Sequence, residues 1–306
     1  MLKLFTLTNR MINLKIPSSV TKLNSSFLIK KNIELFIKRD DLIHNVVSGN
    51  KWRKLKYNLL EAKKQGYKSI LSFGGPYSNH LHALSYVCDK FGLQSIGVVS
   101  SNGKVFETHT QSFCIKHNME LYYIDMKTYR KYKNNCKIPP SIKSKVGQCF
   151  VIPEGGCNDL GAKGCEEIIS ELNIMYDYVC APVGTGCTAT GIINKLTLSQ
   201  FFLGFCAFNK KHEQEQSIKS LLSNNHLNNW RLLPENHFGG FAKVNSILFK
   251  FIDQFKIDYG VDLDLIYNGK MLYYLFQLIE NDFFSKNARI LVLHTGGLQG
   301  VKSFNR

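Results

Sequence analysis

The chain of 306 residues lacks the patterns that mark several large classes of protein. No apolar run is long enough to span a membrane. The nine cysteines are scattered, without C-x-x-C or Cys/His ligand spacing. We therefore expect no metal site and free thiols in a reducing compartment. Hydrophobic residues make up 44% of the chain, which fits a packed globular protein of one large domain or two modest ones.

Acidic residues are scarce, since 23 Asp and Glu oppose 39 Lys and Arg and the formal charge is +16. Such a charge can indicate a nucleic-acid partner. The lysines are spread along the chain rather than clustered, so a solvated basic surface is the simpler interpretation and we expect no nucleic-acid partner. The first acidic residue is Glu34, and a basic N-terminus of this kind can be a transit peptide.

From Glu34 onward, β-like apolar runs alternate with helix-like runs. This alternation predicts an α/β fold with mostly parallel sheets and flanking helices. A polar, lysine-rich segment from Lys127 to Lys145 is predicted to be a surface excursion. The predicted strands are Glu34–Lys38, Ser69–Phe73, Ser95–Ser100, Glu120–Ile124, Cys149–Ile152, Tyr178–Ala181, Leu203–Phe208 and Arg289–Leu293. The predicted helices are Lys51–Gln65, Asn79–Phe91, Phe106–His117, Ala162–Leu172, Thr188–Thr197, Glu213–Leu222, Lys243–Phe255 and Gly269–Ile279.

A lysine at the start of a predicted helix is the first candidate for chemistry. The strand Glu34–Lys38 leads into a polar turn that ends in Ser48-Gly49-Asn50, and a helix pattern begins near Lys51, with Asn50 as the predicted N-cap. A cation at this end opposes the helix dipole. If the amine is buried, it shifts toward its neutral, nucleophilic form. From this stretch alone, an ordinary surface lysine is the simpler interpretation.

A glycine-rich turn at Gly184-Thr185-Gly186-Cys187-Thr188 follows a predicted strand and opens a predicted helix. Glycines let backbone N–H groups turn toward an anion, and the helix N-terminus adds a favourable dipole. Thr185 and Thr188 add hydroxyl donors. The spacing matches neither a Walker A loop nor a dinucleotide fingerprint. The turn is a candidate phosphate site, although a tight strand-to-helix turn without a ligand fits equally well when it is considered alone.

Two further turns follow predicted strands. Gly74-Gly75-Pro76 precedes Ser78-Asn79-His80, where exposed N–H groups could bind a carboxylate. A serine N-cap with a buried asparagine is the alternative there. His80 and His82 are two residues apart and point to different helix faces, so we exclude a metal. The other turn, His294-Thr295-Gly296-Gly297, could equally be a plain glycine turn.

Together these stretches resemble the pyridoxal-phosphate (PLP) enzymes of the tryptophan-synthase-β fold, known as fold type II. Within that group they are most similar to the family of D-cysteine desulfhydrase and 1-aminocyclopropane-1-carboxylate deaminase. The resemblance runs from about Ile16 to Gly297, so a targeting segment would have to precede Leu14. It implies two α/β domains, a larger PLP-binding domain of residues 1–52 and 166–306 and a smaller inserted domain of residues 53–165, with PLP in the cleft between them.

The resemblance also implies a role for each candidate residue. Lys51 would form the Schiff base with PLP and then act as general base at the substrate Cα. Ser78 and Tyr267 would face the substrate. The expected cofactor-binding residues besides Lys51 are Asn79 at the phenolic oxygen, Gly184, Thr185, Gly186, Cys187 and Thr188 at the phosphate, and Thr295 at the pyridine nitrogen.

The chain departs from the family pattern at several of these positions. Many family members have Gly where Cys187 stands. We align Leu265-Ile266 with the Asp-Pro of the family's Asp-Pro-Val-Tyr-x-Gly-Lys, and Asn268 replaces a Glu of the deaminases or a Thr of the desulfhydrases. Tyr77 stands where the characterised enzymes often have Gln. Loss of that Glu, together with Thr295, weakens the ring-opening deaminase interpretation.

The resemblance therefore predicts a PLP-dependent lyase that acts on a small amino acid by Cα-proton abstraction and β-elimination. For D-cysteine the products would be pyruvate, hydrogen sulfide and ammonia. Deamination of 1-aminocyclopropane-1-carboxylate is one alternative, and a PLP-binding protein with little turnover is another. A basic nucleic-acid binder is the third, although no cluster of Lys or Arg supports it. We expect a cytoplasmic homodimer with no membrane partner.

Overall fold

A computed structural model describes residues 12–101, 107–223, 228–234 and 238–300. It has two β-sheets with flanking helices, which confirms the predicted α/β class. The strands are β1 (Val20–Leu23), β2 (Glu34–Lys38), β3 (Ser69–Gly74), β4 (Gln94–Ser101), β5 (Met119–Asp125), β6 (Phe150–Ile152), β7 (Tyr178–Val183), β8 (Phe201–Cys206), β9 (Trp230–Leu233) and β10 (Arg289–Leu293). The helices are α1 (Ser26–Lys30), α2 (Asn50–Lys64), α3 (Asn79–Lys90), α4 (His109–Lys116), α5 (Met126–Asn134), α6 (Pro140–Val146), α7 (Asp159–Ser170), α8 (Cys187–Ile193), α9 (Lys211–Leu221), α10 (Ser246–Tyr259) and α11 (Asn268–Glu280).

The larger sheet has the strand order β1-β2-β10-β7-β8-β9. Strand β1 runs antiparallel to β2, and the other neighbours are parallel. The inner strands are almost wholly buried apolar runs, which is typical of parallel strands covered by helices on both faces. Because β10 returns to lie beside β7, the winding of the chain reverses there. The loops after β7 and β10 therefore open at the same edge, where open sheets bind ligands.

The smaller sheet has the order β5-β4-β3-β6, and all its neighbours are parallel. Its residues, 69–152, fall in sequence between β2 and β7 of the larger sheet. Here the winding reverses between β3 and β6, so the turns after these strands also open together. The loops at the two reversal points follow β3, β6, β7 and β10. They contain the candidate site residues described below.

Some local elements differ from the prediction. The segment from Lys127 to Lys145 lies largely at the surface, as predicted, but it contains most of α5 and α6, which were not predicted and whose Tyr129, Ile142 and Val146 enter the core. The strands β1 and β9 and the helix α1 were also not predicted. The predicted helix that starts at Phe106 is seen from His109, and Phe106 itself lies outside the described residues.

No helix in the described ranges is both long enough and apolar enough to cross a membrane. Within the same ranges, no group of three or more His, Cys, Asp or Glu side chains is placed to hold a metal ion.

Candidate active site

The start of helix α2 is fixed by a close contact with the loop after β10. Gly49 has φ +65°, and a Cβ at this residue would lie 1.8 Å from the carbonyl oxygen of Thr295, so only glycine fits. The prediction of Asn50 as a side-chain N-cap was wrong, because Gly49 occupies that position and Asn50 begins the helix. The Asn50 amide instead donates to Thr188 Oγ1 at 2.9 Å and accepts from Lys51 Nζ. Asn50 is therefore a site residue that sequence reasoning missed.

The Lys51 amine is neutral much of the time near physiological pH. Burial lowers its pKa to about 7, and the charge of Lys54 one turn later acts in the same direction. A neutral amine is the form that can attack an aldehyde or accept a proton. The Lys51 side chain as a whole is half-buried, and the burial of its amine is enough to depress the pKa, as the sequence analysis required.

Lys54 is a second buried cation on α2 that the sequence analysis overlooked. Its exposed fraction is 5%, and it has no ion pair in the ranges that the structure describes. A Cβ on Gly156 would lie 3.1 Å from the Lys54 Cβ, and the Lys54 charge acts on the thiols of Cys157 and Cys187. A buried cation without a carboxylate partner is costly unless an anion joins it.

The glycine-rich loop after β7 has its carbonyl groups held on one side by α9. Gln214 Nε2 donates to the carbonyls of Val183 and Gly184 at 2.7 and 2.9 Å, and Ser217 Oγ donates to that of Thr185 at 2.8 Å. In a trans peptide the N–H points opposite to the C=O. The N–H groups that follow these three carbonyls therefore point away from α9, as an anion site requires.

Two more features of this loop fit a phosphate group. Gly186 has φ +89°, a left-handed conformation that favours glycine. The Thr185 hydroxyl is buried and has no hydrogen-bond partner in the described part of the chain, and such orphaned groups are rare without a ligand. With Lys54 as counter-charge, the loop has the donors and the positive charge that a phosphate needs.

The start of α3 carries the next two predicted residues. Ser78 is the N-cap, and its Oγ accepts from the backbone N–H of Leu81 at 3.2 Å. Asn79 Oδ1 accepts from Gln299 Nε2 at 2.6 Å, and a Cβ on Gly297 would lie 3.2 Å from Asn79 Nδ2. Asn79 therefore reaches the loop after β10, whereas no hydrogen bond joins Ser78 to Lys51 in the described part of the chain.

Thr295 is held by residues of α11. Its backbone N–H and its Oγ1 both donate to Asn268 Oδ1, at 3.0 and 3.2 Å. Asn268 Nδ2 in turn donates to Asp264 Oδ1 and to the carbonyl of Gly296. Asn268 therefore positions the Thr295 loop rather than standing free as a substrate contact.

The alignment of Leu265-Ile266 with the family's Asp-Pro was wrong by one position. Asp264 lies three residues before Tyr267, as the Asp does in the family pattern, and the Pro and Val between them are replaced by Leu265 and Ile266. The buried Asp264 carboxylate accepts from the backbone N–H groups of Ile266, Tyr267 and Asn268 at 2.7–2.9 Å. It therefore holds the first turn of α11, and the motif is more complete than the sequence analysis concluded.

Tyr267 lies beside the glycine-rich loop. A Cβ on Gly184 would be 3.6 Å from Tyr267 Cε1 and 3.7 Å from a ring carbon of Phe208. The Phe241 ring is 6.2 Å from the Tyr267 ring. Burial raises the pKa of the Tyr267 hydroxyl, and Asp264 adds to the shift, so the hydroxyl keeps its proton. Tyr77, by contrast, is 55% exposed against His109.

His80 is a further buried group at the site. Its Nε2 pairs with Ser72 Oγ at 2.9 Å, and its Nδ1 has no partner in the described residues. Burial lowers the pKa of His80 to about 3, with the charges of Lys51 and Lys54 acting in the same direction. His82 lies elsewhere, stacked on Phe113 at 3.8 Å. The two histidines thus diverge, as their spacing predicted.

Fold and site first define a class: an α/β protein of fold type II in which switch-point loops enclose a lysine of low basicity. The chain belongs to the family described as pyridoxal-phosphate dependent enzymes, whose model matches residues 18–204, more than half of the chain. The protein is therefore an enzyme that uses PLP, as predicted.

Individual relatives show which of the pyridoxal-phosphate dependent enzymes this chain is similar to. A "Putative 1-aminocyclopropane-1-carboxylate deaminase" of Thermotoga maritima is 27% identical over 294 residues, which cover 90% of this chain and 93% of the relative. The "Bifunctional D-cysteine desulfhydrase/1-aminocyclopropane-1-carboxylate deaminase, mitochondrial" of Arabidopsis thaliana is 28% identical over 295 residues, which cover 88% of this chain and 73% of the relative. The crystal structure of an "ACC deaminase homologue" superposes with a TM-score of 0.77 at 22% identity, covering 96% of this chain and 95% of that one. The resemblance to this family is confirmed.

Proposed function

We propose that this enzyme is a D-cysteine desulfhydrase-like lyase that removes the Cα proton of a small amino acid and eliminates its β-substituent. With D-cysteine and water, the products are pyruvate, hydrogen sulfide and ammonia. One observation carries the proposal: the weakly basic Lys51 amine lies at the contact of α2 with both the glycine-rich loop and the Thr295 loop. The names of the relatives agree with this chemistry.

We assign the cofactor's phosphate to the loop of Gly184, Thr185, Gly186, Cys187 and Thr188, with Lys54 as its counter-charge. The orphaned Thr185 hydroxyl and the outward-held carbonyls support this assignment. Asn79 and Thr295, which lie near the Gly297 turn, would hold the cofactor's ring. When bound, PLP supplies the electron sink for the carbanion that remains after loss of the Cα proton.

We assign the proton transfers and the binding of the substrate carboxylate to residues of the chain. Lys51, neutral near pH 7, holds the cofactor and takes the Cα proton. Tyr267, whose hydroxyl keeps its proton, can donate it to the leaving group. Ser78 and the N–H groups at the start of α3 bind the substrate carboxylate. The two sheets support the division into a domain of residues 53–165 and one of residues 1–52 and 166–306.

Deamination of 1-aminocyclopropane-1-carboxylate is the second candidate, because several relatives carry that name. Asn268 argues against it, since this neutral side chain is engaged by Thr295 and Asp264. The nearby Asp264 carboxylate is also occupied, by three backbone N–H groups. No free carboxylate therefore stands where the deaminases have Glu.

A substrate panel on PLP-loaded protein tests the proposal. We expect keto-acid and sulfide from D-cysteine, little ammonia from 1-aminocyclopropane-1-carboxylate, and no product with Lys51→Ala. Lys64→Ala, an exposed change on α2, should keep the bound cofactor and so serves as a folded control. Release of ammonia from the cyclopropane substrate without sulfide from D-cysteine would favour the deaminase. A loaded protein that turns over neither substrate would favour a PLP-binding protein with little turnover.

We also propose a homodimer that works in the cytoplasm. Exposed Ile247 and Ile257, with exposed fractions of 54% and 76% on α10, support a self-association surface. The nine free cysteines support a reducing compartment. The mass of the protein in solution tests the first part, and localisation of the tagged chain tests the second.

A further inference from the structure

Three cysteines lie together beside the glycine-rich loop, and the chemistry proposed above uses none of their thiols, although the backbone of Cys187 belongs to the proposed phosphate site. Cys187 begins α8, Cys165 is on α7, and Cys157 follows the turn after β6. The Cys187 thiol acts on the pKa of each of the other two thiols. These residues are 8 to 30 positions apart, so the fold alone brings them together. All are reduced.

The thiols of Cys157 and Cys187 each contact a backbone carbonyl in the segment that carries the other cysteine. The Cys187 thiol donates to the carbonyl of Gly156 at 3.4 Å and approaches that of Asn158 at 3.9 Å, the two neighbours of Cys157. The Cys157 thiol donates to the carbonyl of Thr185 at 3.2 Å, two residues before Cys187. Each sulfur therefore lies against the segment that carries the other.

The surroundings of Cys157 favour its thiolate. The neighbouring Cys187 thiol and the charge of Lys54 lower the pKa of Cys157 to about 6, despite an opposing effect of burial. Cys157 is partly exposed, whereas Cys187 is fully buried and its pKa is raised by its two thiol neighbours. An accessible thiolate beside a second thiol is the arrangement of an oxidisable pair.

We propose that Cys157 and Cys187 are a redox pair that closes into a disulfide under hydroperoxides and thereby loosens the phosphate loop. The Cys157 thiolate attacks one peroxide oxygen, and the O–O bond breaks to give a sulfenic acid and water. The Cys187 sulfur then attacks the Cys157 sulfur and loses its proton, and the sulfenic hydroxyl leaves as a second water. Two thiols are oxidised, and one hydrogen peroxide is reduced to two waters.

The effect on the loop follows from the bonds that the disulfide replaces. Oxidation removes the thiol donor from the carbonyl of Thr185 and the one from the carbonyl of Gly156. It also draws Cys187, the first residue of α8, toward the turn that holds Cys157. This part of the inference rests on the proposed phosphate site. Because a charge-assisted hydrogen bond contributes roughly 1.5–3 kcal/mol, disturbing one of the loop's N–H donors should weaken PLP binding by about 10- to 100-fold.

The disulfide is tested without reference to cofactor or activity. After a brief exposure of the full chain to hydrogen peroxide, intact mass should fall by about 2 Da, and dithiothreitol should restore it. Fragmentation of cross-linked peptides should join Cys157 to Cys187. Cys157→Ser and Cys187→Ser should abolish the loss, and Cys187→Gly serves if the serine variant does not fold. Cys136→Ser is the matched control, because this exposed thiol is close enough to feel the charge of Cys157 yet is outside the pair.

The outcomes separate the two parts of the inference. No mass loss in the wild type, or a cross-link from Cys157 to Cys136 or Cys165, would overturn the pair. Equal PLP affinity of oxidised and reduced protein, measured by equilibrium dialysis, would overturn its effect on the loop. Failure of the reduced protein to bind PLP would instead count against the proposed function, and the mass measurement would still stand.

Discussion

Helix α2 carries buried positive charge on two sides, and the two sides differ in whether the charge has carboxylate partners. Arg53 has no exposed surface and is paired with Asp40 at 2.6 and 2.8 Å and with Glu171 at 2.9 and 3.0 Å. Lys51 and Lys54 are one turn apart and have no carboxylate partner in the described ranges. One side is a completed ion network, whereas the other is positive charge without an anion.

The difference separates a structural role from a functional one. Burial alone would lower the pKa of Arg53, but the charges and hydrogen bonds of Asp40 and Glu171 outweigh it and the pKa is raised. At Lys51 nothing outweighs burial, and the pKa falls to about 7. The network behind α2 fixes the helix, so the unpaired amines can be held at the site without partners of their own.

The largest expected effect is on the paired side. Arg53→Met leaves the buried Asp40 carboxylate without its cation and leaves Glu171 with Lys38 alone, so the free energy of unfolding should fall by about 3–5 kcal/mol. Urea unfolding of the apoprotein measures it. Lys22→Met, which breaks the exposed pair with Glu34, is the matched control and should change stability by less than about 1 kcal/mol. An equal loss of stability in Arg53→Met and Lys22→Met would contradict the structural role assigned to the Arg53 ion network.

The variant Lys54→Met tests the side of α2 whose cations have no carboxylate partner. Affinity for PLP should drop about 10- to 100-fold, the loss expected for a charge-assisted contact, because the phosphate loses its counter-charge. The stability of the apoprotein should not fall, since an unpaired buried cation costs free energy. Lys64→Met, an exposed change on the same helix, is the control. A loss of stability like that of Arg53→Met, with PLP affinity unchanged, would contradict the assignment.

The smallest expected effect is a pKa shift. Competitive labelling of the apoprotein with acetic anhydride, read by peptide mass, should give Lys51 a midpoint near pH 7, whereas surface lysines titrate near 10.4. Reactivity should therefore rise as the pH passes upward through 7. Lys54→Met removes a like charge and should move the midpoint upward, by about one unit. A Lys51 midpoint like that of surface lysines would refute the burial argument.

The alternation of apolar runs and glycine turns was enough to predict the class of fold and most inner strands. It missed β1 and β9, which lie at the two edges of the larger sheet. Edge strands alternate with polar residues, as the exposed Val20-Thr21-Lys22 does, and give a weak signal. The start of α2 was predicted one residue late, because Asn50 was assigned as an N-cap from its residue type alone.

Lys54 and Cys157 could not be found from sequence. The burial of Lys54 depends on the turn at Gly156, about a hundred residues away, and the Cys157–Cys187 contact exists only between two separate loops. Local patterns carry no information on such contacts. Asp264 could have been found, because counting back from Tyr267 places it correctly.

The attachment of the cofactor to Lys51 is tested most directly by borohydride reduction of the PLP-loaded protein, followed by peptide mapping. The account predicts a phosphopyridoxyl group on Lys51 alone, with Lys54 unmodified in the same peptide map. A phosphopyridoxyl group on another lysine, with Lys51 unmodified, would contradict it.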